Sequence, residues 1–224
     1  MTSTDELDPG LNAVSALADP VRRAAYRAVA AAGAAPVGRD DVAAVLGVGR
    51  TLAAFHLDKL VDAGLLEVSY ARRSGRSGPG AGRPAKLYRR VDAEHVVSVP
   101  PRAYRAAAEL LAEAVERAGL DDMLFQVARE RGAARATAAG SKADVLELLA
   151  EQGYEPVRDG AVVRLRNCPF HQLARAFQPL VCGMNLALLE GVLAGAGDET
   201  SVARLDPLPG YCCVSIESSD DDGC

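Results

Sequence analysis

A two-domain α+β chain is predicted by three observations. Residues 39–90 switch from helical to strand periodicity around a run of glycines and arginines. A second switch, from helices to short alternating strands, falls near residue 154. Between the two lies Pro100-Pro101, a natural break. A chain of 224 residues has core enough for one large domain or two small ones without staples.

The elements follow in order. Residues 1–10 are polar and expected to fray. Leu11–Ala32 reads as helix with a break at Asp19-Pro20, where proline suits a first helical turn. Gly33–Gly38 reads as loop. Asp40–Leu46 is a short helix, Gly47-Val48-Gly49 a turn, and Arg50–Ala63 a second helix that stops at Gly64. Leu65–Arg72 and Lys86–Val91 read as strands flanking a glycine-rich tip, with Asp92–Val99 as connector. Arg102–Ala118, Leu120–Ala138 and Lys142–Gln152 read as helices. The first is amphipathic, with Ala107, Leu110, Leu111, Ala114 and Val115 on one side. Tyr154–Arg158 and Ala161–Arg166 form a hairpin about Asp159-Gly160. Pro169–Ala194 is helical with an interruption at Pro179, and Val202–Leu205 and Cys212–Glu217 are closing strands. The predicted organisation is a first domain over 1–99, a helical linker or dimerisation segment over 100–140, an α+β domain over 141–217, and a disordered acidic tail over 218–224.

Two helices followed by a basic hairpin form a winged helix-turn-helix, which grips duplex DNA with one helix in the major groove and a wing on the backbone. Charge supports that reading. Residues 72–90 hold Arg72, Arg73, Arg76, Arg83, Lys86, Arg89 and Arg90 and no acid, so the rest of a chain of net charge −5 carries −12. A basic strip on an acidic body orients binding, because phosphate attracts one end and repels the other. Helical phase, taken from Leu57, turns Ala53, Leu60, Val61 and Gly64 inward, against Val42, Val45 and Leu46. It turns Thr51, Leu52, Phe55, Lys59 and Asp62 outward. The predicted DNA contacts are Arg50, Thr51, Phe55 and Lys59 on the helix, and Arg72, Arg73, Arg76, Arg83 and Lys86 on the wing. Phe55 is placed either against thymine methyls or in packing under the wing or at a dimer seam. His56, at the helix edge, reads as structural. Gly78, Gly80 and Gly82 lie between strands and do not open a helix, which excludes a phosphate-binding loop.

All five cysteines lie in the last 57 residues: Cys168, Cys182, Cys212, Cys213 and Cys224. The odd count and a reducing compartment argue against a disulfide framework. The spacing Cys168-x13-Cys182-x29-Cys212 is not the tight pair of a zinc ribbon. A strand end, a helix and a closing strand each bring a thiolate, which suits a cluster needing several. Pro179 places Cys182 near a helix N-terminus, where the dipole is expected to lower its pKa. His171 is a candidate fourth ligand or a surface histidine. Of Cys212 and Cys213, strand alternation predicts that only one faces the site. Zinc, or cysteines that only pack or change redox state, are the alternatives.

The stretches LADPVRRAAYRAV and VGRTLAAFHLDKLVDAGLLEV resemble the ArsR-like winged-helix repressors. The continuation RRSGRSGPGAGRPAKLYRR resembles the SufR-like branch. The resemblance implies a homodimer on an inverted-repeat operator and an iron–sulfur cluster held at three positions. These match Cys168, Cys182 and either Cys212 or Cys213. The expectation is a cytoplasmic DNA-binding regulator, most simply a repressor, that senses iron–sulfur or redox status. The alternative is a winged-helix regulator answering to a small molecule or zinc. No membrane segment is expected. No paired carboxylates and no nucleophile with a base call for an enzyme.

Overall fold

The computed structural model describes residues 9–71, 84–140 and 144–218. The chain divides into two compact units, Met1–Arg102 and Ala103–Cys224. Of residues 1–10, expected to fray, 1–8 fall outside the described residues, while Pro9 and Gly10 open a helix; the glycine-rich tip with Arg72, Arg73, Arg76 and Arg83 also falls outside. So do Cys224 and the tail from residue 219.

The first unit contains α1 (Pro9–Ala16), α2 (Pro20–Ala31), β1 (Val37–Gly38), α3 (Arg39–Leu46), α4 (Arg50–Asp62), β2 (Leu66–Ala71) and β3 (Ala85–Arg90). The break expected at Asp19-Pro20 is a cap: the Asp19 carboxylate accepts the Arg22 N–H at 2.8 Å, with Pro20 in the first turn. Gly38 N–H donates to the Asp41 carboxylate at 2.8 Å where α3 begins. Gly47 ends α3 at φ +65°, in the left-handed region. A Cβ there would meet nothing within 4 Å, so conformation and not space calls for glycine.

Val29, Val42, Leu57 and Leu60 are fully or almost fully buried, with Ala25, Leu66 and Tyr88 around them. Each buried branched side chain contributes about 1.5–3 kcal/mol of transfer free energy. Val45, expected in this seam, is instead 74% exposed. Val45 flanks Val42 on the side of the helix away from the core and Leu46 flanks it on the other, so the seam closes through Val42 and the partly buried Leu46. The sheet order is β1-β3-β2, all antiparallel. β1 lies in the stretch expected to be loop; two residues are too short to show an alternation.

The second unit contains α5 (Tyr104–Ala118), α6 (Asp121–Ala139), α7 (Val145–Glu151), β4 (Pro156–Asp159), β5 (Val162–Leu165), α8 (His171–Ala176), α9 (Gln178–Ala196), β6 (Ser201–Leu205) and β7 (Val214–Ser218). The antiparallel sheet runs β4-β5-β7-β6, and Gly160 at φ +62° makes the expected hairpin turn. Leu189 and Leu193 of α9 pack on Val163, Leu165, Val214 and Ile216 of the sheet. Residues 100–140, expected as a helical linker or dimerisation segment, fall from Ala103 onward within the second unit. α6 lies along α9 and belongs to the second unit, with α5 before it.

The α6–α9 crossing is unusually close. A Cβ on Gly132 would stand 2.1 Å from the Leu188 carbonyl oxygen, and one on Gly191 2.0 Å from that of Arg129. Glycine lets the two backbones touch, and the Arg129–Glu190 ion pair at 2.6 Å closes the rim. α9 has the length and apolarity of a membrane span, but half of it is buried within the unit, as a core helix would be.

Candidate nucleic-acid interface and thiol site

The helix-turn-helix comprises α3 and α4, with β2 and β3 as the wing's stem. On α4, Ala53, Leu57 and Leu60 are buried, while Thr51, Leu52, Phe55, Lys59 and Asp62 are exposed, as the phase reading expects. Val61 is only partly buried and Gly64 is exposed. His56 is buried against the core side and meets the Phe55 ring edge-on, centroids 5.3 Å apart. Phe55 nonetheless stays 52% exposed, so among the described residues its outer face is uncovered.

The described cations of this face are held by carboxylates. Arg50 pairs with Asp40 at 2.5 Å and Lys59 with Asp62 at 3.4 Å. Lys86 Nζ donates to Asp58 at 2.6 Å and lies over the Tyr88 ring, and Tyr88 hydroxyl donates to the same carboxylate oxygen at 2.8 Å. Asp58 thus ties the wing strand to α4. Burial pushes its pKa up, but the Lys86 and Tyr88 hydrogen bonds outweigh that and leave it below the ordinary carboxylate value. Burial, with the Asp58 contact added, pushes the Tyr88 hydroxyl up. Exposed pairs such as Arg50–Asp40 are worth only about 0–1 kcal/mol, so a phosphate competes for the cation at little cost. Asp40 and Asp58 escaped the sequence reading. Their signal was an acid beside each predicted cation, visible only once the fold pairs them.

In the second unit three parts of the chain bring four free cysteines together as two pairs. Cys168 lies between β5 and α8, Cys182 in the second turn of α9, and Cys212 and Cys213 just ahead of β7. The strand alternation expected to separate Cys212 from Cys213 does not apply, because both precede the strand. The Cys168 thiol hydrogen-bonds to Cys212, and the Cys182 thiol to Cys213.

A buried polar chain supports them. Tyr154 hydroxyl donates to Asn185 Oδ1, and Asn185 Nδ2 donates to Cys212 Sγ at 3.3 Å. Both Tyr154 and Asn185 are buried, and burial pushes the Tyr154 hydroxyl up. Cys212 is drawn down to about 7, chiefly by the hydrogen bond from Cys168, against burial, with Val214 N–H and Asn185 assisting. The Cys168 thiol, as donor and half-buried, is pushed up.

Cys182 contradicts the dipole expectation. Burial and the contact with Cys213 push it up to about 12. In the second turn it lies beyond the unpaired N–H groups that make a helix start attractive to anions. His171 N–H donates to the Cys168 carbonyl at 3.0 Å, but its side chain is exposed while Cys168 packs inward. Tyr154 and Asn185 were missed; Asn185 follows Cys182 by three residues, so helical spacing puts them on one face.

Four thiols in one partly buried patch have the donor chemistry of a thiolate-bound group. Among the described residues, no three His, Cys, Asp or Glu side chains form a ready ligand set for a metal ion.

The helix-turn-helix domain family matches residues 17–69, which run from the end of α1 into β2. No curated protein and no solved structure matches the chain. The chain therefore carries a helix-turn-helix domain, the DNA-binding part of a transcription regulator.

Proposed function

We infer that this chain is a cytoplasmic homodimeric repressor, and that its cysteine-bearing unit makes DNA binding conditional on iron–sulfur or redox status. The observation that carries the reading is the joining of a DNA-gripping unit to a unit with four gathered thiols. On DNA, α4 offers Arg50, Thr51, Phe55 and Lys59 to the major groove, and the wing offers Arg72, Arg73, Arg76 and Arg83 to the phosphates. Lys86 steadies the wing through Asp58 and stands close to the backbone.

An iron–sulfur cluster, when bound, would supply a redox- and oxygen-sensitive centre. Cys168 and Cys182 would hold it with Cys212, Cys213 or both. The thiols now stand in pairs, so loading requires the pairs to open and the segments before β7 and α8 to move. That movement is what would couple the centre to the packing of the unit and so to the dimer. The second copy docks on the open apolar face of α5 and α6, where Leu110, Leu111 and Met123 are exposed.

The deciding experiment is anaerobic purification followed by an absorption spectrum and iron, sulfide and zinc analysis. Iron and sulfide with a broad visible band support the cluster; zinc alone, or a colourless protein, removes it. Gel-shift affinity of loaded protein against a cluster-free Cys168→Ala variant then tests coupling, and equal affinities would sink it.

One observation favours a second reading, a regulator answering to a small molecule. A cleft of about 700 Å³ is lined by Arg131, Arg135, Tyr154 and Phe170. A colourless protein whose DNA affinity responds to small anionic metabolites would turn the assignment that way.

A further inference from the structure

The thiols of the second unit are arranged in twos. Cys168 packs against the buried cluster that holds Cys212 and its thiol hydrogen-bonds there, and Cys182 meets Cys213. Backbone bonds hold the ends of each pair. Cys212 N–H donates to the Leu165 carbonyl at 2.7 Å, Cys213 carbonyl accepts from Asp206 N–H at 2.8 Å, and Cys168 carbonyl accepts from His171 N–H at 3.0 Å. Asn185, one turn past Cys182 on α9, reaches Cys212 Sγ and is itself held by Tyr154. That bond fixes the approach of α9, and with it Cys182, to the Cys212-Cys213 segment.

Chain neighbours make poor disulfide partners. Their α carbons stand about 3.8 Å apart across a trans peptide, short of the roughly 4.4–6.8 Å of ordinary disulfides. Cys212 and Cys213 are thus kept from each other, and each already touches a partner from a distant part of the chain.

We propose that Cys168–Cys212 and Cys182–Cys213 are two modification sites, each closed as an intrachain disulfide by a peroxide. The reaction needs no bound cluster and stands apart from that reading. A peroxide ROOH transfers oxygen to one sulfur: the O–O bond breaks, a sulfenic acid forms, and the thiol proton leaves with RO⁻ as ROH. The partner sulfur then bonds to the sulfenic sulfur as the S–O bond breaks, and hydroxide leaves with the partner's proton as water. Two thiols lose two electrons and the peroxide gains them. Cys168, Cys182 and Cys213 are partly exposed and Cys212 is buried. In the first pair, therefore, the partly exposed Cys168 gives the peroxide access to both sulfurs. Closure ties the β5–α8 segment and the second turn of α9 to the chain ahead of β7.

The test uses the full chain, freed of metal by chelation and carrying Cys224→Ser, treated with hydrogen peroxide and mapped by mass spectrometry after thiol blocking. Because Cys212 and Cys213 share a peptide, two further variants separate the pairs. With Cys212→Ser, Cys182 is expected to link to Cys213 while Cys168 stays a thiol. With Cys213→Ser, Cys168 is expected to link to Cys212 while Cys182 stays a thiol. Dithiothreitol should reverse both links. The parent chain unfolded in urea provides the control, where this pairing preference should vanish. Cross-pairing of Cys168 with Cys182, links mainly between chains, or four thiols still open to alkylation would each overturn the proposal. A protein that carries no iron or sulfide when purified anaerobically, before any chelation, yet forms both links would fail the cluster reading alone.

Discussion

Single side chains decide whether each unit holds its shape. Leu57 is fully buried at the meeting of α2, α3 and α4. Leu57→Ala is expected to cost about 2–5 kcal/mol, read from urea unfolding of the first unit. Asp58 acts through charge. Its folded pKa lies below the ordinary 3.8, so its contribution is present above that value and lost as pH falls through the folded pKa. Asp58→Asn should therefore lower the melting temperature at neutral pH, by the equivalent of roughly 0.5–1 kcal/mol for a half-exposed pair. The gap to wild type should narrow as the pH drops below 3.8; a constant gap would show that Asp58 acts through shape alone. Most of this was legible in α4, where one helical phase sorted Leu57 and Leu60 from Thr51 and Phe55. Asp58 was not legible, because its partners lie 28 and 30 residues away on another element.

Elements meet through surfaces that spacing only partly reveals. In α4 the reading face and the packing face separate cleanly, so substitutions on the reading face should leave folding intact and change binding. Lys59→Ala, as a phosphate contact, should weaken all operators alike and reduce the salt slope of binding by about one. Arg50→Ala should cost about 1–3 kcal/mol if it reads a base, and relax specificity at one position. Gel shifts over a salt series and on substituted operators distinguish the two. In α9, Gly191→Ala sets two effects against each other. Alanine gains up to about 1 kcal/mol of helix propensity, but its Cβ would stand 2.0 Å from the Arg129 carbonyl oxygen, a backbone atom that cannot step aside. The clash wins, and a loss of about 1–3 kcal/mol is expected in thermal unfolding of the second unit.

At the scale of the whole molecule, the expectations rest on charge and on the proposed dimer. A body of net negative charge carrying a basic wing is expected to bind DNA in one orientation, and raising salt should weaken that binding steeply. The apolar face of α5 and α6 leaves Leu110, Leu111 and Met123 open in the single chain. Leu111→Glu is expected to convert a dimer to a monomer in analytical ultracentrifugation and to abolish binding to a two-half-site operator while sparing the fold. A dimer unchanged by that substitution would place the seam elsewhere.

Local chemistry made the first unit readable from its sequence. Its helix cap, its turn glycine, its α4 periodicity and its two wing strands are each specified by neighbours within a few residues. The cysteines were readable as a group for the same reason, since their types and order are written in the chain. Their pairing was not. Whether Cys212 meets Cys168, whether Asn185 reaches it, and whether Cys182 is pushed up or down depend on how α9 crosses the segment ahead of β7. That crossing is set by long-range packing of glycine against backbone and of Leu189 and Leu193 on the sheet. Only the folded chain brings those distant groups close enough for their charges and hydrogen bonds to act.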